Sequence, residues 1–360
     1  MLVRHAPMPR HLAGTQRAEE GCQAKSERKS ERRQSKCRQE ELQKEHGQEG
    51  FGRQADEGCR SQEDRQAWQG LMNAPLRWPA EAVWEQVAPR LPGFTVEVLP
   101  SVDSTNSELM RRCRAAAQDP LGATPPESVL LVAEQQTAGR GRKGRAWQSL
   151  RGDSLTFSLG LPLQPVDWSG LSLVVGVSLA DSLEPIQENS ASPTSSTAPV
   201  PALQLKWPND LWLHGRKLGG ILVETASWGG QRYVVVGAGL NVRMPPDLTR
   251  SGLPNVVAGT AAVPPTCLHA LWPSLDAPAA LLAVAKPLVE ALLQFEQQGF
   301  AAFAARFARR DALAGRPVRL SDGSEGTAEG TAPDGALLVR TTHGLQRVSS
   351  DEVSVRPWPG

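Results

Sequence analysis

Three hundred and sixty residues with 39 basic and 38 acidic side chains, a net charge of +1, leave room for about two domains of 100 to 200 residues. They carry no global positive excess of the kind that attracts nucleic acid or an anionic membrane. Five cysteines, at 22, 37, 59, 113 and 267, show the paired spacing of neither a zinc site nor a disulfide framework. No stretch approaches the 18 apolar residues of a membrane span, and Met1 to Leu12 lacks the apolar centre of a secretory signal, so a cytoplasmic protein without a membrane partner is expected.

The averages conceal two compositions. Residues 1–71 hold 14 Lys or Arg and 12 Asp or Glu, with one Phe and one Trp as their only aromatics. Such a segment buries too little apolar surface to offset the entropy of ordering its backbone, about 1–2 kcal/mol per residue, so a disordered charged leader is expected. A solvated helix over Glu27 to Glu45 and an RNA-binding arm both remain open; the mixed signs favour the first. Met72 stands where the composition changes, and a translation start there is a further alternative.

From Met72 onward the pattern is globular. Residues 80–91 have helical spacing (Val83, Val87, Leu91), and Phe94 to Leu99 alternates like a strand. A helix opens at Ser104-Thr105-Asn106-Ser107-Glu108, with Thr105 and Glu108 spaced as a capping box. Strands are expected at Val129 to Ala133 and Ser154 to Leu161, and a buried helix at Leu171 to Leu183. Residues 188–201, rich in Ser, Thr, Pro and Ala, form an insertion, since strand-like sequence resumes at Leu203. Leu218 to Thr225 and Arg232 to Val236 flank Gly229-Gly230 as a hairpin. Asp276 to Gln298 is a long amphipathic helix covering one face of the sheet, with Pro278 in its first turn and a kink expected at Pro287. After Gly315 come five short strands, Pro317 to Leu320, Glu325 to Gly330, Ala336 to Arg340, Leu345 to Val348 and Val353 to Val355, suited to a small SH3-like barrel. Hairpins mixed with helices indicate an α+β fold with a mixed sheet: a main domain over 72–314 and a barrel over 315–360.

Four segments of the main domain carry chemistry. In Gly139-Arg140-Gly141-Arg142-Lys143-Gly144-Arg145, preceded by Gln136 and followed by Trp147, glycines let backbone N–H groups approach an anion, and the arginines supply forked permanent charges. The letters also satisfy G-x-G-x-x-G, but a strand rather than a helix follows, so a dinucleotide fold is not implied. A solvated basic turn is the bland alternative. Lys206-Trp207-Pro208-Asn209-Asp210 places a lysine at a strand end in half-apolar surroundings, where its field on an anion is less screened; an edge lysine beside an ordinary turn is the alternative. In Lys217-Leu218-Gly219-Gly220-Ile221-Leu222-Val223-Glu224 two adjacent glycines begin a good strand, and Gly237-Ala238-Gly239-Leu240-Asn241-Val242 is read as a strand end. In both, the glycines signal either close approach of a ligand or a bulge.

The combination of Ser104-Thr105-Asn106, Gly139 to Arg145, Lys206 to Asp210, Lys217 to Glu224 and Gly237 to Val242, in this order, resembles the biotin protein ligases over about residues 92–358. The resemblance implies a mixed sheet of the class II aminoacyl-tRNA synthetase and biotin synthetase type, followed by the SH3-like barrel. It also implies two half-reactions: biotin and ATP give biotinyl-5′-adenylate and pyrophosphate, and biotin then passes to a lysine of a biotin carboxyl carrier protein, a subunit or domain of acetyl-CoA carboxylase. ATP with Mg²⁺ is the implied co-substrate, without a tightly bound prosthetic group or a protein-held metal. By the same resemblance Lys206, Arg140 and Arg142 are catalytic. Ser104, Thr105, Asn106, Gln136, Gly139, Gly141, Gly144, Arg145, Trp147, Asn209, Gly219, Gly220, Ile221, Gly239 and Asn241 join them in holding biotin or its adenylate. Residues 1–71 lack the apolar periodicity and Gly turn of the winged helix-turn-helix that some relatives carry, so no DNA partner is expected; a homodimer is compatible with the sequence. Lipoate protein ligases share the implied scheme, and a non-catalytic nucleotide or anion sensor of the same fold is the third reading.

Overall fold

The computed structural model describes residues 76–118, 126–186, 200–228, 230–244, 265–320, 322–349 and 355–357, all within one compact unit, Gln66–Gly360. The charged leader and nearly all of the insertion expected at 188–201 lie outside the described residues.

A seven-stranded sheet organises the main body. Its strands are β1 (Thr95–Leu99), β2 (Val129–Ala133), β5 (Ser154–Pro162), β6 (Leu203–Lys206), β7 (Asp210–Leu213), β8 (Arg216–Trp228) and β9 (Gln231–Asn241), in the order β1-β2-β5-β9-β8-β7-β6. The first pair is parallel and every other pair antiparallel, so the sheet is mixed, as the hairpin pattern implied. Pairing of β8 with β9 continues to Trp228 and Gln231, and Gly230 turns at φ 80°.

Side-chain alternation assigns the two faces. Leu130, Val132, Phe157, Leu159, Val234 and Val236 join the main core with α3 (Leu171–Leu183) and α4 (Ala277–Gln298). Val129, Leu131, Tyr233 and Val235 meet Leu109, Met110 and Cys113 of α2 (Thr105–Ala117) on the opposite face. Among the described residues α4 is the helix long and apolar enough to cross a membrane, yet Leu281, Val284, Leu288, Leu292 and Phe295 are buried in the core. It runs uninterrupted through Pro287 from its Asp276 cap.

Two helix starts and stops differ from the sequence expectation. The first helix, α1 (Ala80–Val87), ends four residues before Leu91, because Pro89 lacks an N–H and disfavours helical backbone before it. Leu91 still packs on the core through the following turn. The capping box on Thr105 and Glu108 does not form. Ser104 is the cap, accepting from Ser107 N at 3.4 Å; Thr105 is turned inward, and Glu108 pairs with Arg111 and Arg112.

The C-terminal strands β10 (Pro317–Leu320), β11 (Glu325–Thr331), β12 (Leu337–Thr341), β13 (Gly344–Val348) and β14 (Val355–Pro357) form an antiparallel sheet in the order β13-β12-β11-β10-β14. Among the described residues β13 and β14 do not pair, so the sheet is open at that seam rather than the closed barrel expected. Its Val318, Leu320, Leu337 and Val339 continue the main core, and Trp207 Nε1 donates to Gly335 O at 3.0 Å.

The edge strand β6 is held by Arg310, whose side chain is fully buried. Its guanidinium donates to Asp181 Oδ1 at 2.7 Å, Glu184 Oε2 at 2.9 Å, Leu203 O at 2.8 Å and the Glu184 carbonyl. Glu184 in turn accepts from the amides of Ala202 and Leu203. Removing one partner of a buried ionic cluster strands the others. Arg310→Leu is therefore expected to lower unfolding free energy by about 3–5 kcal/mol in urea titration; a loss under about 1 kcal/mol would count against this role.

Candidate functional site

The floor of the site follows from alternation along three adjacent strands. Ser158 of β5, Gly237 of β9 and Leu222 of β8 lie in one cross-strand row; Thr156, Gly239 and Gly220 form the next. Residues in such rows share a face, and here it is the α2 face beyond the apolar patch of Tyr233 and Val235. Large side chains thus give way to hydroxyls and bare backbone where β9 approaches its end. Gly237 and Gly239, near the end of β9, sit in a continuous ladder without a bulge. A bulge does occur near the other glycine pair, where β7 pairs with Gly219 and Lys217 and skips Leu218.

Both β9 glycines are required by what lies on them. A Cβ on Gly237 would fall 2.1 Å from Asn106 Oδ1, and one on Gly239 would fall 2.5 Å from Trp147 Cε2. Asn106 is buried; its amide nitrogen donates to Leu222 O at 3.1 Å and Glu224 Oε2 at 3.0 Å, while its oxygen accepts from Ser158 Oγ at 2.6 Å. Thr105 donates from its amide (2.8 Å) and hydroxyl (3.2 Å) to Gln136 Oε1, which leaves the Gln136 amide nitrogen as the donor group available to a ligand. Ahead of the helix, the Arg111 guanidinium bonded to both oxygens of Asp103 holds that carboxyl down to about 2.

The basic segment is a small hairpin. Gly139 pairs with Trp147 and Arg140 with Ala146, as strands β3 (Gly139–Arg140) and β4 (Ala146–Trp147). The tip, Arg142–Gly144, turns with Lys143 at φ 56° and Gly144 at φ 71°. Arg140 donates to Ser107 Oγ and to Glu224 Oε1, both at 3.2 Å, and Arg142 donates to Asn209 Oδ1 at 3.3 Å. Across the cavity Lys206 ends β6, with its Nζ 5.7 Å from the centre of the Trp212 ring. Asn209 is fixed by its amide nitrogen on Ile221 O at 2.7 Å and by its carbonyl, which accepts from Ile221 N at 2.9 Å.

One cavity collects Ser104, Thr105, Asn106, Gln136, Arg140, Gly141, Arg142, Arg145, Trp147, Lys206, Asn209, Gly220, Ile221 and Gly239. Gly139, Gly144, Gly219 and Asn241 are not on its wall. Gly139 lies against the Trp147 carbonyl and Gly219 against that of Gly239, Gly144 serves the turn, and the Asn241 amide nitrogen donates to Thr266 O. The sequence reading missed Lys143, Lys217 and Asp210 on the wall, with Ser158 and Glu224 beneath it. The alternation Thr156-Phe157-Ser158 was the available signal for Ser158; Glu224 was visible only as the end of the Lys217 to Glu224 strand segment, with nothing local to give it a partner. Six cationic side chains face one carboxylate on this wall, Asp210, itself bonded to Lys217 Nζ at 2.7 Å. That balance suits a polyanion bound beside a neutral, hydrogen-bonded floor.

Comparison with known proteins agrees with this geometry. The model of the biotin/lipoate A/B protein ligase family matches residues 98–241. The chain is 32% identical over 278 residues to the bifunctional ligase/repressor BirA of Escherichia coli (strain K12), spanning 76% of this chain and 77% of that protein. It is likewise 32% identical over 271 residues to the biotin--[acetyl-CoA-carboxylase] ligase of Paracoccus denitrificans, spanning 71% and 98%. Among solved structures, the biotin protein ligase from Aquifex aeolicus in complex with biotin and ATP superposes with a TM-score of 0.54 at 28% identity, covering 73% of this chain and 99% of that one.

Because Asn106 and a Cβ on Gly237 cannot share the same space, Gly237→Ala is expected to expel the Asn106 side chain. The bonds to Ser158, Leu222 and Glu224 would then be lost, and stability would fall by about 1–3 kcal/mol in chemical denaturation. Unchanged stability would mean that Asn106 moves without cost.

Proposed function

The chain belongs to the biotin/lipoate A/B protein ligase family, and from that premise we propose how its cavity works. The protein is an ATP-dependent biotin ligase that activates biotin and transfers it to a carrier protein. The observation that carries the site assignment is the meeting of the Arg140–Arg142 hairpin and Lys206 above the neutral floor of Thr105, Asn106 and Gln136.

In the first step a biotin carboxylate oxygen bonds to the α-phosphorus of ATP, and the bond from that phosphorus to the bridging oxygen breaks, releasing pyrophosphate. No protein nucleophile is needed; the obstacle is repulsion between two anions. Lys206 bridges the carboxylate and the α-phosphate, and Arg140 and Arg142 bracket the charge that develops. The hydrogen-bonding floor holds biotin's polar ring groups, and Trp147, resting on Gly239, closes over them and excludes water that would hydrolyse the mixed anhydride. In the second step the amine of the carrier lysine attacks the acyl carbon, AMP leaves, and the amide nitrogen gives up a proton. The carrier we propose is the biotin carboxyl carrier protein of acetyl-CoA carboxylase.

The described residues contain no group of three or more His, Cys, Asp or Glu suited to a metal, and Asp210 is engaged by Lys217. The Mg²⁺ of this proposal enters with ATP as part of the co-substrate and would neutralise the departing pyrophosphate. We also propose that 315–360 are a second domain of the SH3-like class docked on the main one, on the support of five short antiparallel strands with a bulge in β11. Repression of transcription is not part of this reading.

Incubation with ATP, Mg²⁺ and labelled biotin or labelled lipoate, followed by pyrophosphate exchange and labelling of a carrier domain, tests the acyl specificity; lipoate-dependent labelling alone would reverse it. Lys206→Ala is expected to slow biotin-dependent pyrophosphate exchange by roughly a hundredfold to a thousandfold while biotin binding stays measurable by calorimetry. Near-normal exchange would remove Lys206 from the mechanism. Arg142→Gly opens the hairpin contact to Asn209, and is expected to leak adenylate and label bystander lysines; labelling confined to the carrier would contradict this.

A further inference from the structure

Glu224 closes the Lys217 to Glu224 segment without a role assigned from sequence, yet it touches both halves of the site. It sits on β8 in the cross-strand row of Val235, one row beyond Gly237 and Leu222, with its side chain 22% exposed. One carboxylate oxygen accepts from Asn106 Nδ2 at 3.0 Å, and the other accepts from Arg140 at 3.2 Å. The same arginine reaches Ser107 Oγ, on the first turn of the helix that carries Asn106. Glu224 therefore bonds floor and hairpin at once.

An arginine on a hairpin pays a large rotamer entropy when an anion orders it. A carboxylate that already holds the guanidinium in place removes part of that cost before substrate arrives. Asn106 has a second acceptor in Leu222 O, whereas the second acceptor of Arg140 among the described residues is an uncharged hydroxyl, Ser107 Oγ, at 3.2 Å. The charge of Glu224 thus matters chiefly to Arg140. We infer that Glu224 is a positioning residue for adenylate formation: it holds Arg140 aimed over the cavity and ties that aim to the biotin floor through Asn106. The inference rests on the biotin-ligase reading above.

Glu224→Gln tests it, because an amide has nearly the same shape but one acceptor oxygen and no charge, so it cannot serve both donors. In the full-length chain, kcat of biotin-dependent pyrophosphate exchange is expected to fall about tenfold or more, while the biotin Kd from calorimetry shifts less than about threefold because Leu222 O remains. In an Arg140→Ala background the same substitution is expected to change kcat no further. Parent-like or faster exchange by Glu224→Gln would overturn the inference, as would a full drop repeated in the Arg140→Ala background. A loss confined to biotin affinity would also overturn it, since Glu224 would then serve Asn106 alone. Thermal melts of both variants matching the parent exclude misfolding as the cause; a parent chain showing no biotin-dependent exchange would instead overturn the biotin-ligase reading and this inference with it.

Discussion

Two unit charges of like sign held 4 Å apart repel by about 1 kcal/mol in water and about 4 kcal/mol at the effective dielectric of a protein surface. Joining a carboxylate to a triphosphate meets that cost several times over, because the phosphate carries more than one charge. The end of the sheet around β5, β8 and β9 is organised by this constraint. The cations assigned to catalysis stand on two separate elements, the Arg140–Arg142 hairpin and the end of β6, so that both anions can enter between them. The floor beneath is neutral, and it binds through amides and hydroxyls.

Holding cations apart with nothing yet between them requires scaffolding, and the structure supplies it on both sides. The β6 edge that ends in Lys206 is clamped by the buried Arg310 with Asp181 and Glu184. The next residue, Trp207, reaches Gly335 of the C-terminal sheet, so the second sheet helps to place the lysine. On the other side, Arg140 rests on Ser107 and Glu224, and Arg142 on Asn209. Arg140 and Arg142 are thus each one hydrogen bond, and Lys206 one peptide bond, from a residue whose own position is set elsewhere in the fold.

Much of this was legible in the sequence because it is local. Apolar spacing located α3 and α4, the two-glycine turn located the β8–β9 hairpin, and interleaved Gly and Arg located the anion-binding segment. The errors were equally instructive. Thr105 and Glu108 had capping-box spacing, but Thr105 is drawn inward by Gln136 and Ser158, so Ser104 takes the cap. Gly237 and Gly239, read as a strand end with a bulge as likely as a ligand, lie near the end of β9 but in a regular ladder paired on both edges. In each case a partner more than 25 residues away outweighed the local preference.

The sequence by itself determined the mixed-sheet α+β class, the basic anion-binding segment, the lysine at the end of β6 and the family, because periodicity, turn chemistry and short motifs are written in neighbouring residues. Only the tertiary structure decided which strand face is the floor, why β9 must be bare at Gly237 and Gly239, and that Glu224 joins Asn106 to Arg140. These depend on register. Pairing across β5, β9 and β8 brings Ser158, Gly237 and Leu222 into one row, and no spacing along the chain encodes which residues will stand side by side until the strands have paired.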